Sequence, residues 1–255
     1  MIIKIGTSGY SFEDWRGNFY PEKIEKGKML DHYLKFFPSV EINSTYYRIP
    51  HPAVMANIDR KTPAGFEFIV KTPDKFTHKR RERDEARGPF MECLKPMQES
   101  GKLKGVLAQF PYSFKYSISN LKYVAECSQD FPPDSFFVEF RHSSWDNPDT
   151  FKALKSARIP YVSVDEPQLP GLLKPELKVS SDIAYIRLHG RNAAQWWDGG
   201  ALRYDYDYSD QELEEWRSKV LRLEGQVSKT FIFFNNCHLG QAVKNARQMM
   251  AKLNL

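Results

Sequence analysis

Cysteine is scarce in this chain: Cys93, Cys127 and Cys237 are the only three among 255 residues, and no two form a Cys-x-x-Cys pair. That excludes an even disulfide framework and a thiolate metal knuckle, and it suits a reducing cytoplasmic setting. Long apolar runs are missing as well. No stretch approaches the ~20 residues a membrane-spanning helix needs, and the opening MIIKIGTSGYSFEDW lacks the apolar core of a signal peptide. The expectation is a cytoplasmic protein with no membrane partner. The six histidines show neither HxH nor HExxH spacing, so no metal is expected. The GTSG at residues 6–9 is neither GxGxxG nor a phosphate-cradling Walker loop, so no cofactor is expected either. Excess charge of one sign is small: 37 Lys+Arg against 32 Asp+Glu permit an anionic ligand without demanding nucleic acid.

What the chain does have is alternation. Eight short segments carry apolar residues at every second position: Ile2–Ser8, Val40–Asn43, Phe66–Lys71, Gly105–Phe110, Phe136–Arg141, Tyr161–Asp165, Ala184–His189 and Thr230–Asn235. Between them lie helical patterns at Leu30–Phe37, Ala53–Arg60, Asp84–Glu99, Ser119–Ser128, Pro148–Ala157, Asp210–Leu223 and Gly240–Leu253. After the sixth strand, Pro167–Pro175 reads as irregular. Strands alternating with helices indicate βαβ units and a parallel sheet. Eight units in ~250 residues predict a (β/α)8 TIM-type barrel, with residues 1–255 as a single domain.

Strand parity locates a site. In Phe136–Arg141, Phe136, Val138 and Phe140 oppose Phe137, Glu139 and Arg141; Val162 and Val164 likewise oppose Asp165. Repeating this along the other strands predicts that Glu41, Asn43, Lys71, Gln109, Glu139, Arg141, Asp165, Arg187, His189 and Asn235 face one interior. They would meet at the C-terminal mouth, where active sites of this fold lie. The competing account is a self-neutralising plug, since three acids face three cations. Against it, a buried ion network is a poor way to gain stability.

Several ordered segments resemble a known family: IGTSGYSFEDWRGNFYP, VEINSTYYRIP, IVKTP followed by Thr77-His78, EFRHSSW, IRLHGR and FFNNCHLGQAVKNA. Together, from Ile5 to about Ala246, they resemble the YecE-like family, domain-of-unknown-function family 72. The resemblance implies a TIM-type β/α barrel and marks Glu41, Asn43, Lys71, Glu139, Arg141, Arg187, His189 and Asn235 as the site. It supplies no reaction.

From the residue types, Glu41 and Glu139 are the acid/base candidates, because paired carboxylates in a pocket can be driven to different pKa values. Lys71 is a Schiff-base nucleophile if desolvated, although pairing with Glu41 or Glu139 is the favoured reading. Arg141, Arg187 and His189 suit an anion, while Asn43, Gln109 and Asn235 suit hydroxyls or carbonyls. A divalent metal on Glu41, Glu139 and Asp165 stays open but unfavoured. Among the loop aromatics, Tyr10, Trp15 and Trp197 are candidates for a stacking rim, and Asn192–Gly200 for a lid. The mixed-charge run at 79–87 reads as a solvated loop and helix start. The function expected is an enzyme (hydrolase, lyase or isomerase) binding a small polar or anionic substrate. A nucleic-acid-binding protein or metal-dependent nuclease, and a scaffold with a vestigial site, are the alternatives. Oligomeric state is not legible.

Overall fold

A computed structural model describes residues 1–255. The strands are β1 (Ile2–Thr7), β2 (Ser39–Ile42), β3 (Glu67–Lys71), β4 (Leu103–Gln109), β5 (Phe136–Glu139), β6 (Val162–Asp165), β7 (Ile183–Leu188) and β8 (Lys229–Phe234). The helices are α1 (Met29–Tyr33), α2 (Pro52–Lys61), α3 (Asp74–Thr77), α4 (Arg83–Glu99), α5 (Ile118–Ser128), α6 (Pro148–Ser156), α7 (Asp210–Leu221) and α8 (Gln241–Lys252). All eight expected strands and all seven expected helices are present, and α3 is one additional short turn. No helix joins β6 to β7, as the Pro-rich stretch there implied. No helix is long and apolar enough to cross a membrane.

Local chemistry explains the starts of several helices. Ser209 and Glu212 form a reciprocal capping box at α7, and Asn147 accepts from Thr150 N (2.9 Å) ahead of Pro148 at α6.

The strands form two parallel four-stranded sheets, ordered β1-β8-β7-β6 and β2-β3-β4-β5. Bridges span both seams. Ser8 pairs with Glu41, where Gly9 N donates to Glu41 O at 2.8 Å, and Val138 pairs with Tyr161, where Val138 N donates to Pro160 O at 3.0 Å. Between the sheets sits an inner cluster of Ile69, Leu107, Phe137, Val162, Tyr185, Phe231 and Phe233. The larger apolar cluster unites the other strand faces with the helices and includes Val40, Phe68, Val138 and Ile186.

The β1–β2 seam depends on a missing side chain. A Cβ on Gly6 would lie 2.2 Å from Ser39 O and 3.0 Å from the Phe233 ring. Backbone cannot yield at such a contact, so Gly6→Ala is expected to cost about 1–3 kcal/mol in urea unfolding. A change within a few tenths would mean that the seam is looser than its geometry.

Candidate active site

On five strands the inward face climbs from apolar to polar. Ile69 is followed by Lys71, Leu107 by Gln109, Phe137 by Glu139 and Arg141, Tyr185 by Arg187 and His189, and Phe233 by Asn235. Side chains two positions apart share a strand face, so the polar residues lie one layer above the apolar cluster.

The floor of this layer is an ion network whose carboxylates are shut off from solvent. Arg187 Nη1 donates to Glu139 Oε2 and its Nη2 to Glu41 Oε1, both at 2.7 Å. The Tyr185 hydroxyl donates to the other oxygen of Glu41, and Asn43 Nδ2 donates to Glu41 Oε1 at 3.0 Å. Arg141 reaches Glu139 Oε1 at 2.7 Å and Glu166 Oε2 at 3.0 Å. His189 Nε2 stands 3.3 Å from Glu139 Oε1, and its Nδ1 meets Asn235 Nδ2 at 2.9 Å. Glu41, Glu139, Glu166 and His189 have no solvent exposure.

Electrostatics follow from these contacts. Burial works to raise the Glu139 carboxyl, but Arg141, Arg187 and His189 outweigh it and hold it well below the ordinary range, so it stays ionised. Burial and the flanking arginines push His189 down to about 3, leaving a neutral imidazole. Burial lifts Glu166 to about 7 against the pull of Arg141.

Above the floor lie two adjoining cavities. The inner one, about 200 Å³, is lined by Ser8, Phe12, Asn43, Arg187, Asn235 and Cys237. The outer one, about 290 Å³, is lined by His78, Pro111, Tyr112, Leu172, Trp196, Trp197 and Arg203. Tyr46, Tyr47, Lys71, Gln109, Arg141 and Tyr204 border both. Lys71 therefore stands at the junction. Its Nζ donates to Gln109 Oε1 at 3.0 Å and lies 4.5 Å from the centre of the Tyr46 ring. Desolvation, then the charge of Arg187, brings its ammonium down to about 7, against the opposing pull of Glu139 and Glu41.

This geometry revises several expectations. Lys71 does not pair with Glu41 or Glu139: it has no carboxylate within salt-bridge distance, and those oxygens are taken by Arg187, Arg141 and the Tyr185 hydroxyl. Arg187 commits both Nη atoms to Glu139 and Glu41 and leaves only its Nε without a partner, and the plug expected as the competing account forms the floor of the mouth. Asp165 is not in the mouth. Arg191 grips it from outside through Nε and Nη2 (2.8 and 2.7 Å), and Tyr208 and Trp216 also donate to it. β6 is turned by one residue relative to the expected parity, with Val162 in the inner cluster and Glu166 on Arg141. The carboxylate trio imagined for a metal therefore does not converge, and no group of three or more His, Cys, Asp or Glu residues could hold one.

Trp15 is fully buried, with its Nε1 donating to Cys237 O at 2.6 Å, and Tyr10 packs against the main core 6.1 Å from Tyr33. Neither lines the mouth; both fasten the first loop to the body of the protein. Trp197 does line it, edge-on to Tyr112 at 4.9 Å. The segment at 192–205 folds over the outer cavity, with Asn192 Nδ2 donating to Leu202 O and Asp205 O, each at 3.0 Å. His78, Tyr112, Arg203 and Glu166 were not anticipated as site residues. Only the Thr77-His78 pair carried a signal, through its place among the family-like motifs. The basic run is largely engaged: Lys79 pairs with Asp74, and Arg83 and Arg87 both pair with Asp130.

Comparison with known proteins agrees over the full length. The family model described as "Protein of unknown function DUF72" matches residues 4–255. The UPF0759 protein YunF of Bacillus subtilis is 32% identical, over 100% of this chain and 95% of that protein. A DUF72 family protein of Thermotoga maritima has a crystal structure with TM-score 0.93 and 41% identity, covering 100% of both chains. Another, from Enterococcus faecalis, has TM-score 0.89 and 28% identity over 100% of this chain and 96% of its own.

Proposed function

The chain belongs to the DUF72 family, and we propose that it is an enzyme whose mouth takes a small anionic carbonyl compound, with Lys71 as the reacting amine. The family is described as one of unknown function, so the reading rests on the chemistry of the mouth. Bridges at both seams between the sheets support a closed (β/α)8 barrel, one domain across residues 1–255, with this mouth at its C-terminal face.

One observation carries the proposal: a lysine facing a cavity, desolvated, without a carboxylate partner, and brought down to about 7. An ordinary lysine is almost wholly protonated at neutral pH and has no lone pair to offer; this one is free in a substantial fraction. Nζ adds to the carbonyl carbon, the carbonyl oxygen departs as water with both amine protons, and an imine remains. Once protonated, the imine draws electrons from a neighbouring C–C or C–H bond, which is lyase or isomerase chemistry. Arg141 borders both cavities beside Lys71, and its Nε has no partner. A carboxylate attached to the carbonyl carbon suits that donor. The buried carboxylates, locked to arginine, hold the floor rigid rather than shuttle protons.

The test uses pyruvate as probe. Incubation with pyruvate and borohydride should reduce the imine to a stable secondary amine on Lys71, located by peptide mass spectrometry. Labelling should climb as pH rises through about 7, as the ammonium is lost. Absence of label on Lys71, or label spread evenly over surface lysines, would refute the imine reading.

A further inference from the structure

Resting on that reading, we infer that the carbonyl compound carries an aromatic side chain, received by the outer cavity, and that Trp197 is a specificity-determining residue. The two cavities differ in chemistry. The inner one is lined by the Ser8 hydroxyl and by Arg187, whose buried Nε has no hydrogen-bond partner, so both present donors to it. That small polar space suits the carboxylate and carbonyl end of a 2-oxo acid.

The outer cavity is walled by rings, and they are not equally occupied. The Tyr46 ring already faces Lys71, and the Trp196 ring lies 5.8 Å from the Arg141 guanidinium and is almost fully buried. Trp197 is 47% exposed and Tyr47 85% exposed, so large apolar rings border the entrance with surface still in water. Tyr112 meets Trp197 edge-on, which fixes one wall and leaves space beside it. A methyl group would leave this cavity of about 290 Å³ nearly empty. A planar aryl group would fill it and find offset or edge-to-face partners. Pro111 and Leu172 add apolar wall, and no carboxylate lines the cavity.

The test compares phenylpyruvate with pyruvate in borohydride labelling of Lys71, in the full-length protein and in Trp197→Ala and Trp197→Phe. Phenylpyruvate should reach half-maximal labelling at a concentration about 10–100-fold lower than pyruvate, the gain expected from burying one phenyl ring. Trp197→Ala should bring the ratio of the two concentrations close to one, and Trp197→Phe should retain most of it. If pyruvate labels Lys71 but phenylpyruvate has no advantage, or if Trp197→Ala leaves the advantage intact, the aromatic assignment is overturned and the imine reading survives. If neither compound labels Lys71, both are overturned.

Discussion

Replacing Arg187 by leucine is expected to lower the unfolding free energy by about 3–5 kcal/mol, because it leaves buried charge without its partner. Arg187 is the only cation bonded to Glu41, at 2.7 Å, and one of two at Glu139. All three side chains are buried, so neither carboxylate has bulk solvent to replace the lost guanidinium's charge. Glu41 would keep only the neutral donors Tyr185 and Asn43. The pH dependence identifies the cause. In the native protein Glu139 is held below its ordinary value, so its contribution is complete above about 4.5 and fades as pH falls through the lower folded value. In the variant Glu139 loses one of the two guanidinium groups that hold it down, so its carboxyl shifts upward and its protonation relieves the uncompensated charge. The deficit should therefore shrink between pH 7 and pH 5 in paired urea titrations. A loss below about 1 kcal/mol, or a deficit constant across that range, would mean that the network is not what holds the floor together.

The same network explains what could be read in the sequence. On β5, β7 and β8 the outward residues are apolar and the inward ones end in Glu139-x-Arg141, Arg187-x-His189 and Asn235, so alternation reports which side chains face inward. On β6 it misleads. That strand packs a polar cluster on its outer side, where Asp165 satisfies Arg191, Tyr208 and Trp216, and places Val162 inward. A four-residue strand with a polar residue on its outer face gives the opposite polarity signal, and a one-residue error turns every side chain over. The fate of Lys71 was illegible for a different reason. Sequence counts acids and bases, and equal numbers suggest pairing, but only coordinates show that the arginines and Tyr185 have already taken the carboxylate oxygens. Aromatic loops pose a similar limit. Trp15 and Trp197 look alike in the chain, yet one donates to Cys237 O inside the core and the other stands at the cavity entrance.

Lys71→Met should abolish imine trapping and, at the same time, make the protein more stable at pH 7 by about 2 kcal/mol. Both effects have one origin. Folding brings the ammonium from its ordinary 10.5 down to about 7, so between those values the unfolded chain binds more protons than the native one. Stability attributable to this residue therefore rises with pH across that window, and at or below pH 7 the lysine is a net cost. The gain is set well below full conversion of the shift, because the side chain faces the mouth and keeps some solvent. Methionine matches its length without the charge, so the cavity is not simply emptied. The stability advantage of Lys71→Met should be largest near pH 7 and should decline as pH approaches 10.5, measured by urea unfolding at several pH values. If the substitution destabilises the fold at pH 7, Lys71 is a structural cation and the amine chemistry loses its basis. If it stabilises while eliminating label, the chain retains at the centre of its mouth a group that works against folding. A position of that kind is what a reactive site, rather than a packing site, leaves in the energetics.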